Sequence, residues 1–184
     1  MPRKELRSWK TLSKKTILDH GRFLKVEEHR IELPDGQVIP DWTWVIIPDA
    51  VIVLARTVDK HFLIFRQTKY ALGISLAPVG GMLEEGEEPL TAAKRELREE
   101  MGCEAINWNY LGNYILDPNR GVAAVHLFLA LDARRVAEPD SDDLEDQEML
   151  EVTREELEQG LNTGEFKQIA WAALVSMALN HIKE

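Results

Sequence analysis

The sequence predicts an α/β fold, a mixed β-sheet with helices on its faces, preceded by an N-terminal β extension. Three observations point there. Short runs rich in Val, Ile and Leu alternate with turn residues between positions 22 and 131, one amphipathic segment at 88–101 interrupts them, and two further helical segments follow position 153.

Residues 22–33 and 37–47 flank Pro34-Asp35-Gly36, a turn sequence, and read as a hairpin. Residues 51–58 and 61–67 flank Asp59-Lys60 and read as a second hairpin, whose near-continuous apolar character predicts strands buried on both faces. The segment 88–101 carries Pro89 at a first helical position, where the missing N–H costs nothing, and Gly102 as its stop. On a helix Leu90, Ala93, Leu97 and Met101 share one stripe, the face expected to pack on the core. Residues 106–115 and 122–131 are strands joined by the loop Asp117-Pro118-Asn119-Arg120-Gly121. Thr153 and Glu156 form a capping box that opens a short helix ending near Gly160. Residues 166–182 are a longer apolar helix, with Ile169, Ala173, Leu174, Val175 and Leu179 as core candidates. With no internal repeat and no low-complexity linker, the expected division is an extension at 1–47 and one folded unit at 48–184.

The 184 residues suffice for one domain with a substantial core, and 45% hydrophobic with 29% charged residues is an ordinary globular composition. No apolar run approaches the roughly 20 residues that span a bilayer, and no apolar region follows the basic first residues. A cytoplasmic protein without a membrane partner is therefore expected. The single Cys103 excludes a disulfide framework and a cysteine-rich zinc site, and the five histidines lack ligand spacing, which makes them surface or core residues. A net charge of −10 argues against a nucleic-acid partner. It would also repel a small anionic substrate unless metal ions neutralise the local field.

The helix at 88–101 sorts its charges by side. Glu96 and Glu100 lie on one flank of the apolar stripe with Glu99 further round, while Lys94 and Arg98 take the other. Glu96, Glu99 and Glu100 repel one another at i,i+3 and i,i+4, and Arg95 offsets only part of this through Glu99. Carboxylates placed to repel make sense around a divalent cation such as Mg²⁺, which prefers oxygen ligands.

The full spacing, Gly81, five residues, Glu87, seven residues, Arg95-Glu96-Leu97, one residue, Glu99-Glu100, one residue, Gly102, resembles the signature of the Nudix hydrolases at every fixed polar and glycine position. The match covers 23 of 184 residues, with Cys103 standing where the family usually has an aliphatic residue. The resemblance implies a Nudix-type α/β/α sandwich with the signature helix packed on a mixed sheet. It implies hydrolysis of a pyrophosphate with Mg²⁺ as cofactor and Mn²⁺ as a possible substitute. Glu96 and Glu100 are the first metal-ligand candidates, Glu99 is the next and a catalytic candidate, and the Gly80 carbonyl is a further possible ligand. Arg95 is expected to orient the glutamates, with Glu87 a structural or supporting acceptor.

Within the family the chain resembles the ADP-ribose and nucleoside diphosphate sugar pyrophosphatases. Pro118 lies sixteen positions past Gly102, as in that branch, and Arg66-Gln67-Thr68-Lys69 resembles its Arg-Gln-x-Arg, with Lys69 at the second basic position. Lys is a point charge where Arg grips phosphate with a fork. Residues 73–81, GISLAPVGG, loosely resemble the branch's Glu-Leu-Pro-Ala-Gly segment, with Leu76-Ala77 replacing its acidic and leucine pair. The acidic run at 138–151 falls where the branch places a mobile loop bearing a catalytic carboxylate; it is either that or a solvated flexible loop. Glu148 is the candidate general base, and Glu145 the runner-up. Trp42 and Trp44 point to one face of a strand, and either stack a nucleobase or pack in the core or a subunit interface. The resemblance further implies a homodimer formed through the N-terminal strands. The leading function is cleavage of a nucleoside diphosphate sugar, ADP-ribose-like, to a nucleoside monophosphate and a sugar phosphate. The alternatives are a Nudix hydrolase of nucleoside triphosphates or dinucleoside polyphosphates, and a non-catalytic nucleotide-sugar-sensing module.

Overall fold

A computed structural model of the chain describes residues 6–140 and 146–182. These divide into two compact units, one holding the described residues up to Pro48 with Ile115–Ala123, the other holding Asp49–Tyr114 with the described residues from Ala124 on.

The first unit is a three-stranded antiparallel sheet of β1 (Lys10–Asp19), β2 (Lys25–Glu32) and β3 (Val38–Ile46), in that order. The β2/β3 hairpin turns at Pro34-Asp35-Gly36 as the sequence predicts. Asp35 Oδ1 accepts from the Gln37 N–H at 3.0 Å, and Gly36 takes a φ of +89°, a conformation open to glycine. β1 lies outside the predicted strands. All ten of its residues are exposed, so no buried face imprints an alternation on its sequence.

In the second unit β4 (Ala50–Thr57), β5 (Phe62–Lys69), β6 (Gly73–Ala77), β7 (Val79–Met82), β8 (Cys103–Glu104), β9 (Asn107–Asp117, whose last residues enter the first unit), β10 (Val122–Arg135) and β11 (Gln147–Val152) form an eight-stranded sheet. Its central order is β11-β5-β4-β10-β8, with β6 on β5, β7 on β4 and β9 on β10. β4 and β10 run parallel and the remaining recorded pairs antiparallel, which makes the sheet mixed.

Side chains of β4 alternate between two cores, as the period of a strand requires. Val51, Val53 and Ala55 face α1 (Pro89–Met101), packing with Ala92, Ala93, Leu97 and Met101. Ile52 and Leu54 face α2 (Arg154–Asn162) and α3 (Ile169–His181), packing with Leu157, Trp171, Leu174 and Ala178. This is the α/β/α sandwich the sequence leads one to expect, with the apolar β4 buried on both sides.

Several details differ from the sequence reading. Leu90 is 39% exposed, and Ala92 and Glu96 are buried in its place. The buried face of α1 is turned toward β7, a strand that the glycine-rich 79–82 segment does not announce. Ile169 is 77% exposed because it opens α3, ahead of the turns that reach the sheet. The acidic run at 138–151 is not loop throughout, since Gln147–Val152 forms β11 and pairs with β5. Among the described residues no helix is long and apolar enough to cross a membrane.

Candidate active site and metal-binding edge

Pro89 occupies the first turn of α1, and Gly102 closes the helix in the left-handed conformation at φ +63°, returning its N–H to Arg98 O. This fixes the register that brings Arg95 and Glu96 against β7, at Met82 O and Gly81, with Glu99 and Glu100 one turn further on. Arg95 gathers the acidic groups. Its Nε and Nη2 donate to the two carboxylate oxygens of Glu87, each at 3.0 Å, in a fork. Its Nη1 donates to Glu96 Oε1 at 2.7 Å and Glu99 Oε2 at 3.1 Å, and Nη2 also reaches Met82 O at 3.3 Å. Glu87 Oε2 in turn accepts the Glu84 N–H at 3.1 Å. The Arg95 guanidinium beside it holds the Glu87 carboxyl below the usual carboxylate range, and the same fork raises the Arg95 pKa.

Glu96 is only 7% exposed. Burial pushes its carboxyl up despite the opposing Arg95 contact. Gly81 makes this burial possible, because a Cβ there would fall on the Glu96 carboxylate. Gly80 has its own steric reason to be glycine: a Cβ would strike Val51 O and the Ile52 backbone of the paired strand. The result is a hard oxygen donor, Glu96, seated against a glycine backbone, with Glu100 one turn further along the helix. Its chemistry fits a divalent cation such as Mg²⁺. Glu99 is half exposed, and its Oε2 shares Arg95 Nη1 with Glu96 Oε1. Among the described residues no three acidic, His or Cys side chains converge as a preformed metal cluster.

A second group of predicted residues meets at the β5/β11 edge. Glu148 stands opposite Arg66 in the antiparallel pairing, on a strand and not on the expected loop. Both are exposed, and with Gln67, Thr68, Ile74 and Asp146 they line one surface pocket. Lys69 ends β5 opposite Gly73, and its carbonyl accepts the Leu72 N–H at 3.0 Å. Glu145 lies outside the described residues.

In the first unit Trp42 and Trp44 meet the loop that carries Pro118, at Asn119 and Gly121. Trp42 Nε1 donates to Asn119 O at 2.7 Å, and the Trp44 ring lies where a side chain on Gly121 would project. His29, 4% exposed, stacks on Trp44 at 5.2 Å with an 18° interplanar angle and bonds Glu27 Oε2 at 2.7 Å. The sequence marks His29 as a surface or core histidine and Gly121 as a loop residue, and singles out neither of them, nor Glu27, as a neighbour of the Trp44 cluster. Alternation along β2 puts Glu27 and His29 on one face, but nothing local reveals what that face meets.

A two-layer core about a mixed sheet, with a glycine-cradled carboxylate on the helix that covers it, defines a Nudix domain. The chain belongs to the Nudix hydrolases: the NUDIX domain model matches residues 46–174, and the nucleoside diphosphate sugar hydrolase N-terminal domain model matches residues 9–45. Among its relatives, the methanol dehydrogenase activator of Bacillus methanolicus is 33% identical over 66% of this chain and 65% of that protein, so the chain spans slightly under two thirds of its length. The ADP-ribose pyrophosphatase of Bacillus subtilis (strain 168) is 29% identical over 95% of this chain and 92% of that protein. A crystal structure of an ADP compounds hydrolase superposes with a TM-score of 0.81 at 19% identity, covering 97% of this chain and 96% of the other. That likeness concerns the fold.

Proposed function

We propose that the chain hydrolyses the pyrophosphate bond of a nucleoside diphosphate sugar of the ADP-ribose type, releasing a nucleoside monophosphate and a sugar phosphate. The observation that carries the chemistry is the Glu96 carboxylate, buried against Gly81 and held by Arg95 Nη1 at 2.7 Å. The substrate class is supported by the N-terminal domain match and by the ADP-ribose pyrophosphatase relative, which aligns over nearly the whole chain.

In this reading Glu96 and Glu100, with Glu99 and the Gly80 carbonyl, hold Mg²⁺, for which Mn²⁺ can substitute. When bound, such a cation draws charge from the phosphoryl oxygens and acidifies water. Arg95 holds Glu96 and Glu99 in place while its own charge is balanced by Glu87. Glu148 is the general base that accepts a proton from water at a carboxylate oxygen, with Glu145 the alternative. Arg66 and Lys69 receive the phosphates, and Pro118, Trp42 and Trp44 serve the nucleotide-sugar end. The working protein is a cytoplasmic homodimer joined through its N-terminal strands, which makes residues 1–47 a dimerisation element and 48–184 the catalytic domain.

A turnover screen tests this. ADP-ribose, ADP-glucose, GDP-mannose, UDP-glucose and nucleoside triphosphates are offered with Mg²⁺, with Mn²⁺ and with chelator. Nucleoside monophosphate released from ADP-ribose, absent with chelator, is the expected result. Release from triphosphates alone would overturn the substrate, and no release from any would overturn the enzyme. Glu100→Gln is expected to lower kcat by about 10²-fold or more without unfolding the chain.

A further inference from the structure

Among the described residues the exposed Arg66 side chain makes no hydrogen bond or ion pair, although Glu148 stands opposite it on β11. It lines two adjoining surface cavities. One is the pocket shared with Asp146 and Glu148. The other, of about 250 Å³, opens toward the loop between α2 and α3, and its walls include Ile74 and Leu76 of β6 and Thr163, Glu165 and Lys167 of that loop. All of these residues belong to the second compact unit, and none to α1. Lys69 lines neither cavity. The cation that shares a cavity with Arg66 is Lys167.

Ser75, only 3% exposed, fastens this loop to β6. Its hydroxyl donates to Glu165 O at 2.8 Å and accepts the Lys167 N–H at 3.1 Å, while the Leu76 N–H donates to Glu165 O at 3.0 Å. The backbone that carries Lys167 is thereby fixed at the cavity wall. Lys167 Nζ meets the Leu72 carbonyl at 3.4 Å, a long contact for a group with three donors. α3 begins two residues later without a side-chain cap, so the positive end of its dipole adds to the local field. The opposing charge in the cavity is Glu165, whose Oε1 lies 3.0 Å from Thr163 Oγ1.

On a chain of net charge −10, two cations from separate elements thus converge on one cavity. Its volume falls below the roughly 300–1,000 Å³ of sites that enclose a whole small molecule, and suits one charged group of a ligand. A guanidinium fork and an ammonium both match phosphate oxygens. A phosphate carries about −1.5 to −2 charges near pH 7, enough to engage two cations where a carboxylate engages one.

We propose that Arg66 and Lys167 form a phosphate-binding site, with Lys167 as its second cation and Glu165 as the residue that limits its affinity. The phosphate belongs either to the substrate's diphosphate, a source that rests on the proposed function, or to a separate phosphorylated ligand.

The probe is inorganic pyrophosphate, titrated calorimetrically with chelator present so that no metal at Glu96 contributes, into the wild type, R66M, K167M, K167R, E165Q and K94M. R66M and K167M should each weaken binding about fivefold or more. K167R keeps the charge and should stay within about threefold of the wild type. E165Q should tighten binding about twofold or more, a gain that a merely structural role would not produce. K94M removes an exposed charge on α1 and should change affinity by less than about twofold. No binding by the wild type up to about 10 mM, wild-type affinity in K167M, weaker binding in E165Q, or an equal loss in K94M would each overturn the inference. Repeating the titration on chain saturated with ADP-ribose separates the sources. Loss of the pyrophosphate signal supports the site with the substrate's diphosphate in it, and an unaltered signal supports it with a separate ligand. A chain that binds pyrophosphate through Lys167 yet hydrolyses no nucleotide sugar removes the proposed function and keeps this inference. An active chain whose K167M variant binds pyrophosphate as the wild type does removes this inference alone.

Discussion

Gly81 and Glu96 show how much depends on one missing methyl group. The Glu96 carboxylate occupies the space that a Cβ on Gly81 would take, so the residue that shapes the acidic edge is the one without a side chain. Gly81→Ala should displace the carboxylate and weaken Mg²⁺ binding by about tenfold or more, which is ~1.4 kcal/mol; titration calorimetry with MgCl₂ reads it directly. Unaltered affinity in that variant would mean that Glu96 does not hold the ion. Glu87 acts at the same scale through Arg95. Its folded pKa is lowered, chiefly by the Arg95 hydrogen bond, so its contribution to stability is present above the ordinary carboxylate value of 4.5 and is lost as pH falls through the lower folded value. Glu87→Gln should therefore cost about 1–3 kcal/mol at neutral pH and flatten the acid limb of the stability curve. Urea unfolding between pH 7 and pH 3 would show both effects, and a limb as steep as that of the wild type would count against the assignment.

At the scale of elements, α2 is opened by a complete capping box. Thr153 accepts the Glu156 N–H at 3.2 Å, and the Glu156 side chain accepts the Thr153 N–H at 2.8 Å. Thr153→Ala should cost about 1 kcal/mol, a fall of roughly 2–4 °C in Tm by calorimetry. This helix was legible in the sequence because its signal is local, as were α1 with its Pro89 and Gly102 and the hairpin around Asp35-Gly36. What was not legible depends on distant partners. β1 has no buried face, β7 is half glycine, and β11 lies in an acidic stretch that reads as solvated chain until β5 is seen beside it. The exposed Leu90 follows from the same cause. Its stripe was drawn for one contact surface, whereas α1 packs on β7 as well as β4, and the small Ala92 and the carboxylate of Glu96 take the second contact. The candidate site divides in the same way. The acidic helix could be read from spacing, but the pairing of Arg66 with Glu148 needed a strand register that no local pattern gives.

For the whole molecule, the N-terminal sheet poses a question of burial. Three strands on their own cover little apolar surface, and here Leu12, Ile17, Leu18, Phe23, Val38 and Ile46 are all exposed. That is more apolar side chain than scattered surface residues account for on so small a unit. A second copy of the chain is an occupant consistent with the proposed homodimer, since a symmetric pairing offers the same patch from both sides. A stable interface of this kind buries about 1,200–2,000 Å² in total. Sedimentation equilibrium at micromolar concentration should accordingly give twice the chain mass of 21.0 kDa. Replacing Ile17 and Phe23 together by Asp should shift the population toward 21.0 kDa, because two charges per copy would have to be desolvated in the interface. A wild-type chain that stays at 21.0 kDa up to about 100 μM, well above the Kd of a standard interface, would leave those side chains without a partner copy and remove the dimer from the proposed function.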